Sequence, residues 1–179
     1  MLTITPLANI PADPFINSDG KLPENFANKI GAYAVFNQDN RLVHLGFSRN
    51  VQLSLKQSLV RRPESCQWVK VETIDRPSKS HLQDILTQWQ TECGGDPYSI
   101  DNPERRWTES INLHEHLTAD EQARYADPET NDRGKIKILK QASRRIESDI
   151  LTKLRDRGFD DSLRFNPKLK ESGVLEIKD

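Results

Sequence analysis

The apolar positions change period along the chain, and each change marks an element. Gly31-Ala32-Tyr33-Ala34-Val35-Phe36 combines small, aromatic and β-branched residues in a mixture that suits a strand. Asn37-Gln38-Asp39-Asn40 follows as a turn, because Asn and Asp tolerate left-handed backbone and bond their own main chain. Arg41 to Phe47 reads as a second strand, so the pair predicts a β-hairpin. Beyond it, Ser48 or Asn50 can cap a helix in which Val51, Leu55 and Leu59 recur on one face, ending before Pro63. Gln67 to Glu72 alternates with period two and predicts a third strand with one solvated face. A helix starting between Asp75 and Ser80 sets Leu82, Ile85, Leu86 and Trp89 on one stripe, and Gly94-Gly95 with Pro97 stops it. The compact unit is therefore β-β-α-β-α.

The flanks have a different texture. Residues 1–30 carry Pro6, Pro11, Pro14, Pro23 and Gly20, which predicts a loop-like lead-in packing on the core, with one short strand at Leu2–Thr5. Residues 96–132 are polar, and Thr118 with Glu121 forms a capping box for a short helix through Tyr125. From Arg133 an amphipathic helix runs to about Arg157, with Leu139, Ala142, Ile146, Ile150 and Leu154 on one side, and Gly158 ends it. A polar tail follows. The expected division is a lead-in over 1–30, a core domain over 31–103 and a helical, basic extension over 104–179. The fold class is α/β of the α+β type, with a small, mostly antiparallel sheet of about three strands flanked by helices.

Composition narrows the function classes. Of 179 residues, 35% are hydrophobic and 30% charged, thin in apolar content, so some segments must be solvated. A net charge of −1 removes any argument from overall basicity for nucleic acid. Charge is nevertheless segregated: between Arg133 and Arg157 nine basic residues stand against three acidic ones, while Glu115 to Asp132 is acidic. Lys137, Lys140, Arg144, Arg145 and Lys153 can thus form a surface for DNA, RNA or an anionic protein partner; the plainer reading is a solvated face neutralised by the acidic segment. The apolar stripe of the same helix must be covered by its own domain or by another chain. No apolar run approaches the ~18 residues of a membrane-spanning helix. The start has no basic leader region, so a cytoplasmic location is expected. Cys66 and Cys93 fit a reducing compartment and read as buried thiols. His114-Glu115-His116 lacks the further ligands a metal site needs.

One constellation goes further. Gly31-Ala32-Tyr33, ten residues, and His44-Leu45-Gly46, followed by Ser48-Arg49-Asn50 and a helix, resemble the GIY-YIG nuclease superfamily. Gly31 to Val35, Leu45 to Asn50, Pro63-Glu64-Ser65-Cys66 and Val69-Lys70-Val71 are similar to the GIY-YIG module joined to chloroplast monothiol glutaredoxins. The resemblance covers roughly residues 31–103 and requires the β-β-α-β-α order. It implies phosphodiester cleavage by activated water with a magnesium ion. Tyr33 matches the first tyrosine, and His44 replaces the second; imidazole can still move a proton near neutral pH. Ser54 stands at the arginine position and offers phosphate no charged fork, although Arg49 lies close in sequence. The metal-binding glutamate falls on Gln83 or Asp84, a poor and a short-reaching magnesium ligand respectively. The resemblance therefore implies a nucleic-acid-binding domain with weak or lost endonuclease activity. The alternative is a silent interaction module serving photosynthetic or redox machinery in a cyanobacterium or plastid, with a stromal location after transit-peptide removal. Cys66 is a redox candidate on the same ground. Tyr33 itself can equally be a half-buried core tyrosine, and His44 a solvent-edge strand residue.

Overall fold

The computed structural model describes residues 3–178 of the chain. The chain divides into two units, Met1–Thr108 with Gly158–Asp161, and Glu109–Arg157 with Ser162–Asp179. The fold is mixed α+β.

The first unit holds β1 (Asp13–Pro14), β2 (Ile30–Phe36), β3 (Leu42–Ser48), α1 (Val51–Arg61), β4 (Trp68–Ile74), α2 (Lys79–Glu92) and the short α3 (Arg105–Thr108). Its sheet has the order β1-β4-β2-β3 with every neighbour antiparallel. Four strands stand where about three were expected. The extra one is two residues long and ends in proline, which is tolerated at a sheet edge but leaves no alternation to read. The Leu2 end of the strand expected at Leu2–Thr5 lies outside the described residues, and Thr3 to Thr5 are irregular.

Helices on both faces explain why β2 is buried along almost its whole length. Ala32, Ala34 and Leu45 pack with Leu82, Ile85 and Trp89 of α2 and with Leu7 and Ile10 of the lead-in. Small residues on the strand let α2 approach closely. The lead-in is tied down by polar bonds: the Trp89 indole donates to the Thr5 carbonyl at 3.1 Å, and the Lys70 ammonium to the Leu7 carbonyl at 2.9 Å. Alternation turns Tyr33 and Val35 to the other face. There α1 presents Val51, Leu55 and Leu59, all fully buried.

Local chemistry sets the element ends. Asn37 accepts from the amides of Asp39 and Arg41, and Asn40 takes φ +56°, closing the hairpin. Between the two possible caps of α1, Asn50 accepts from the Leu53 amide, while Ser48 accepts from the Asn50 amide. Ser78 caps α2, and Gly94 and Gly95 leave it at φ +82° and +134°.

The second unit holds β5 (Ile111–Asn112), α4 (Ala119–Ala126), α5 (Asp132–Asp156), α6 (Pro167–Glu171) and β6 (Val174–Leu175), with β5 and β6 paired antiparallel. The Thr118–Glu121 capping box forms as the pattern predicts. Within this unit α5 packs against α4, α6 and the 3-10 turn Leu113–His116. Among the described residues no helix is long and apolar enough to cross a membrane.

Candidate functional site

The site grows out of the hairpin register. Tyr33 pairs with Gly46 and Val35 with His44, which puts Tyr33, Gly46 and His44 on one face. The Tyr33 and His44 rings lie 5.7 Å apart. Gly46 is needed by close approach: a Cβ there would sit 2.6 Å from Cζ and Oη of Tyr33 and 3.0 Å from Nε2 of His44. The tyrosine ring occupies the space that any side chain at position 46 would take.

His44 is enclosed by residues that follow α2. Its ring stacks on Trp107 with centroids 4.9 Å apart and planes 4° from parallel, and its Nδ1 lies 2.7 Å from the Tyr98 hydroxyl. That hydroxyl also donates to the Leu45 carbonyl at 3.1 Å and accepts from the Leu45 amide at 3.4 Å. The single Tyr98 proton can serve either the Leu45 carbonyl or His44 Nδ1, so the hydroxyl bridges strand and imidazole in either ring tautomer. Asn102 ties the segment to the hairpin, donating to the Val43 carbonyl at 2.8 Å and accepting from the Trp107 indole at 2.8 Å. Arg61 Nη1 donates to the Trp107 carbonyl at 2.7 Å, and the Arg62 guanidinium sits 5.5 Å over the indole ring.

These surroundings fix the protonation states. Burial, with some help from the charge of Arg61, pushes His44 down to about 3. Burial pushes Tyr33 up to about 12, against hydrogen bonding from Ser54 and the charge of Arg61. At neutral pH the imidazole is uncharged and the phenol protonated. His44 is a buried residue rather than a solvent-edge one, because the 96–108 segment covers the outer side of β3.

Beside the pair lies a cavity of about 410 Å³, lined by Tyr33, His44 and Gly46, by Gln83 and Gln90 of α2, and by Asp96, Glu104 and Thr108. Tyr33 and Gln83 thus share one hollow although α2 packs on the opposite face, because the hollow opens around the β3 edge. Asp84, one residue on, is exposed and takes no part in the lining; a step of one residue turns a helical side chain through about 100°. Arg49 is exposed and lies outside the lining as well, since it sits in the turn before α1. Ser54 reaches Tyr33 but does not line the hollow.

A magnesium ion finds no fitting donor set here. Of the two metal candidates, Gln83 lines the hollow with a neutral carboxamide and Asp84 lies outside the lining, and no group of three or more His, Cys, Asp or Glu able to hold a metal occurs among the described residues. His114 instead packs edge-on against Tyr125. Cys66 is fully buried, whereas Cys93 is exposed at the end of α2, contrary to the expected burial, because the glycines after it carry the chain away.

The cationic candidates of α5 are largely spoken for within their own unit. Lys140 pairs with Glu171 at 2.6 Å, Arg145 with Glu121 at 2.7 Å and Lys153 with Asp149 at 3.1 Å. Lys137 and Arg144 are exposed and form no ion pair among the described residues. Sequence reasoning missed Arg61, Tyr98, Asn102 and Trp107. The signal for Arg61 was present: Ser54, Ser58 and Arg61 repeat at i, i+4 and i+7 on one face of α1. For the others a single sequence offers only scattered aromatics in a polar stretch.

Fold and site together define a small α+β domain with a buried Tyr–His–Trp cluster at its sheet edge. No protein-family model matches the sequence. Over 59 residues the chain is 36% identical to the bifunctional monothiol glutaredoxin-S16, chloroplastic, of Arabidopsis thaliana. The match takes in 33% of this chain, and it spans only 20% of the length of that protein.

Proposed function

We propose that the chain is a catalytically silent relative of the GIY-YIG nuclease fold, retained as a binding or assembly module. One observation carries this reading: no lysine or arginine among the described residues lines the hollow beside Tyr33, His44 and Gly46. Phosphodiester cleavage needs positive charge against the phosphate in the transition state. The hollow offers Asp96 and Glu104 instead, which repel it. Arg61, the guanidinium nearest in chemistry to the missing one, gives Nη1 to the Trp107 carbonyl. The similarity to a chloroplastic monothiol glutaredoxin supports a plastid-type setting and a partner in redox or photosynthetic machinery. Nucleic-acid binding through α5 is the weaker reading, since three of its five candidate cations are paired internally.

The test is incubation of the purified chain with plasmid DNA, single-stranded DNA and RNA in the presence of magnesium. No cleavage above background is expected, with Tyr33→Phe indistinguishable from the parent. Magnesium-dependent cleavage that disappears in Tyr33→Phe overturns the reading.

A further inference from the structure

The second unit has a concavity of its own, between α5 and α6. Lys137, Lys140 and Arg144 recur at i, i+3 and i+7, which stacks them along one face of α5. Lys168 and Lys170 come from α6, which packs against α5. A cavity of about 310 Å³ lies between the two helices, with Lys140 and Arg144 lining it from α5 and Lys168 and Lys170 from α6. Ser143 and Pro167 complete the lining with short side chains, which leave the room a ligand needs. Ser143 is fully buried and gives its hydroxyl proton to the Lys140 carbonyl at 3.1 Å.

The charges divide into a brace and a surplus. Lys140 pairs with Glu171 at 2.6 Å, and Lys170 pairs with Glu147 while lying 5.9 Å over the Phe165 ring. Each pair joins α5 to α6, so together they hold the groove open at a set width. Arg144 and Lys168 are exposed, and neither forms an ion pair among the described residues. Like charges brought to one concavity repel, and an anion between them relieves that cost. A concave wall of one sign also concentrates counter-ions. Glu171 is the one acid of the lining among the described residues, and Lys140 holds it. A nucleic-acid backbone needs a long run of cations. Two free cations beside about 310 Å³ match one phosphate group with a small body instead.

We propose that this groove binds a small phosphomonoester, with the Arg144 guanidinium gripping two phosphate oxygens and the Lys168 ammonium a third. Every residue of the groove belongs to the second unit, so the inference stands independently of the reading of the Tyr33 hollow.

Calorimetric titration of the full chain with glycerol phosphate, with glycerol and with a short RNA tests it. Saturable single-site binding of glycerol phosphate is expected, weakening as salt rises, with none for glycerol. Arg144→Gln combined with Lys168→Gln should weaken it about tenfold or more, since charge-assisted bonds are lost. Both residues are exposed, so the thermal unfolding midpoint should stay where it is. Arg133→Gln removes an exposed α5 cation outside the lining and should leave binding unchanged. A second readout needs no variant: the side-chain nitrogen resonances of Arg144 should move on adding glycerol phosphate. Absence of saturable binding up to ~10 mM, a range that still reports very weak sites, overturns the inference. So does equal binding by the double variant, or an equal loss in Arg133→Gln. RNA that binds more tightly and displaces glycerol phosphate overturns it in favour of a nucleic-acid surface.

Discussion

Trp107 lies flat on His44, 4.9 Å between ring centroids and 4° from parallel, and the contact joins two segments separated by more than sixty residues. It converts a strand-edge histidine into a buried one. Trp107→Ala should cost about 3–5 kcal/mol, as for other large-to-small core changes, measured by urea unfolding. In the milder Trp107→Leu, water reaches the imidazole and the His44 titration midpoint should rise from about 3 toward its ordinary 6.5. A midpoint unmoved in both variants would show that the stack does not shield the ring.

Burial of His44 and of tyrosines such as Tyr33 gives the domain a stability plateau with an edge on either side. His44 is held at about 3 against an ordinary 6.5, so the unfolded chain takes up its proton first. Its contribution is complete above about pH 6.5 and declines as pH falls toward 3, by at most about 1.4 kcal/mol per pH unit. Tyr33 acts oppositely: held at about 12 against 10.0, it stays protonated in the folded state while the unfolded chain ionises, so stability declines from pH 10 toward 12. Urea midpoints across pH should trace this shape, and His44→Gln should flatten the acid edge alone.

Gly46→Ala forces a methyl into a position 2.6 Å from the Tyr33 ring. A buried aromatic ring cannot swing aside, so a loss of about 1–3 kcal/mol is expected, the usual range for overpacking. Tyr33→Val in the same chain should recover part of it. If the double variant is no better than the sum of the two single ones, the clash is not the cause.

Tyr98→Phe removes one hydroxyl that serves Leu45 and His44 together. The expected cost is about 1–3 kcal/mol, because the groups left behind stay partly buried. The nitrogen spectrum of His44 is the more specific check: with the Tyr98 hydroxyl gone, the Nδ1 resonance should shift.

In the second unit Thr118→Ala breaks the reciprocal bonds with Glu121, in which the Glu121 amide donates to the Thr118 hydroxyl at 3.2 Å. About 1 kcal/mol of stability should be lost, with amide exchange accelerating first around Ala119 to Gln122.

The elements that stand on periodicity and caps were legible in the chain. Both hairpin strands, α1, β4, α2 and α5 lie close to where their apolar spacing places them. The tripeptides around Tyr33 and His44 pointed to the face they share. What the spacing could not reveal is the segment from Asp96 to Thr108, whose hold on the hairpin runs through Tyr98, Asn102 and Trp107. Those contacts link residues far apart in sequence, and their side chains follow no repeat. The choice between Gln83 and Asp84 was open for a similar reason: the pattern tells which helix faces the hollow, but only the helix's rotation selects the residue.

The bonds from Tyr98 and Asn102 to Leu45 and Val43 fall on the outer rim of the last strand in the sheet. An uncovered rim of that kind offers a template to any extended peptide and invites molecules to stack strand against strand. By occupying those main-chain groups with its own side chains, the protein protects itself from aggregation at that border. Loosening Asp96 to Thr108 should show first as clumping at high concentration, before any loss of helix is detectable.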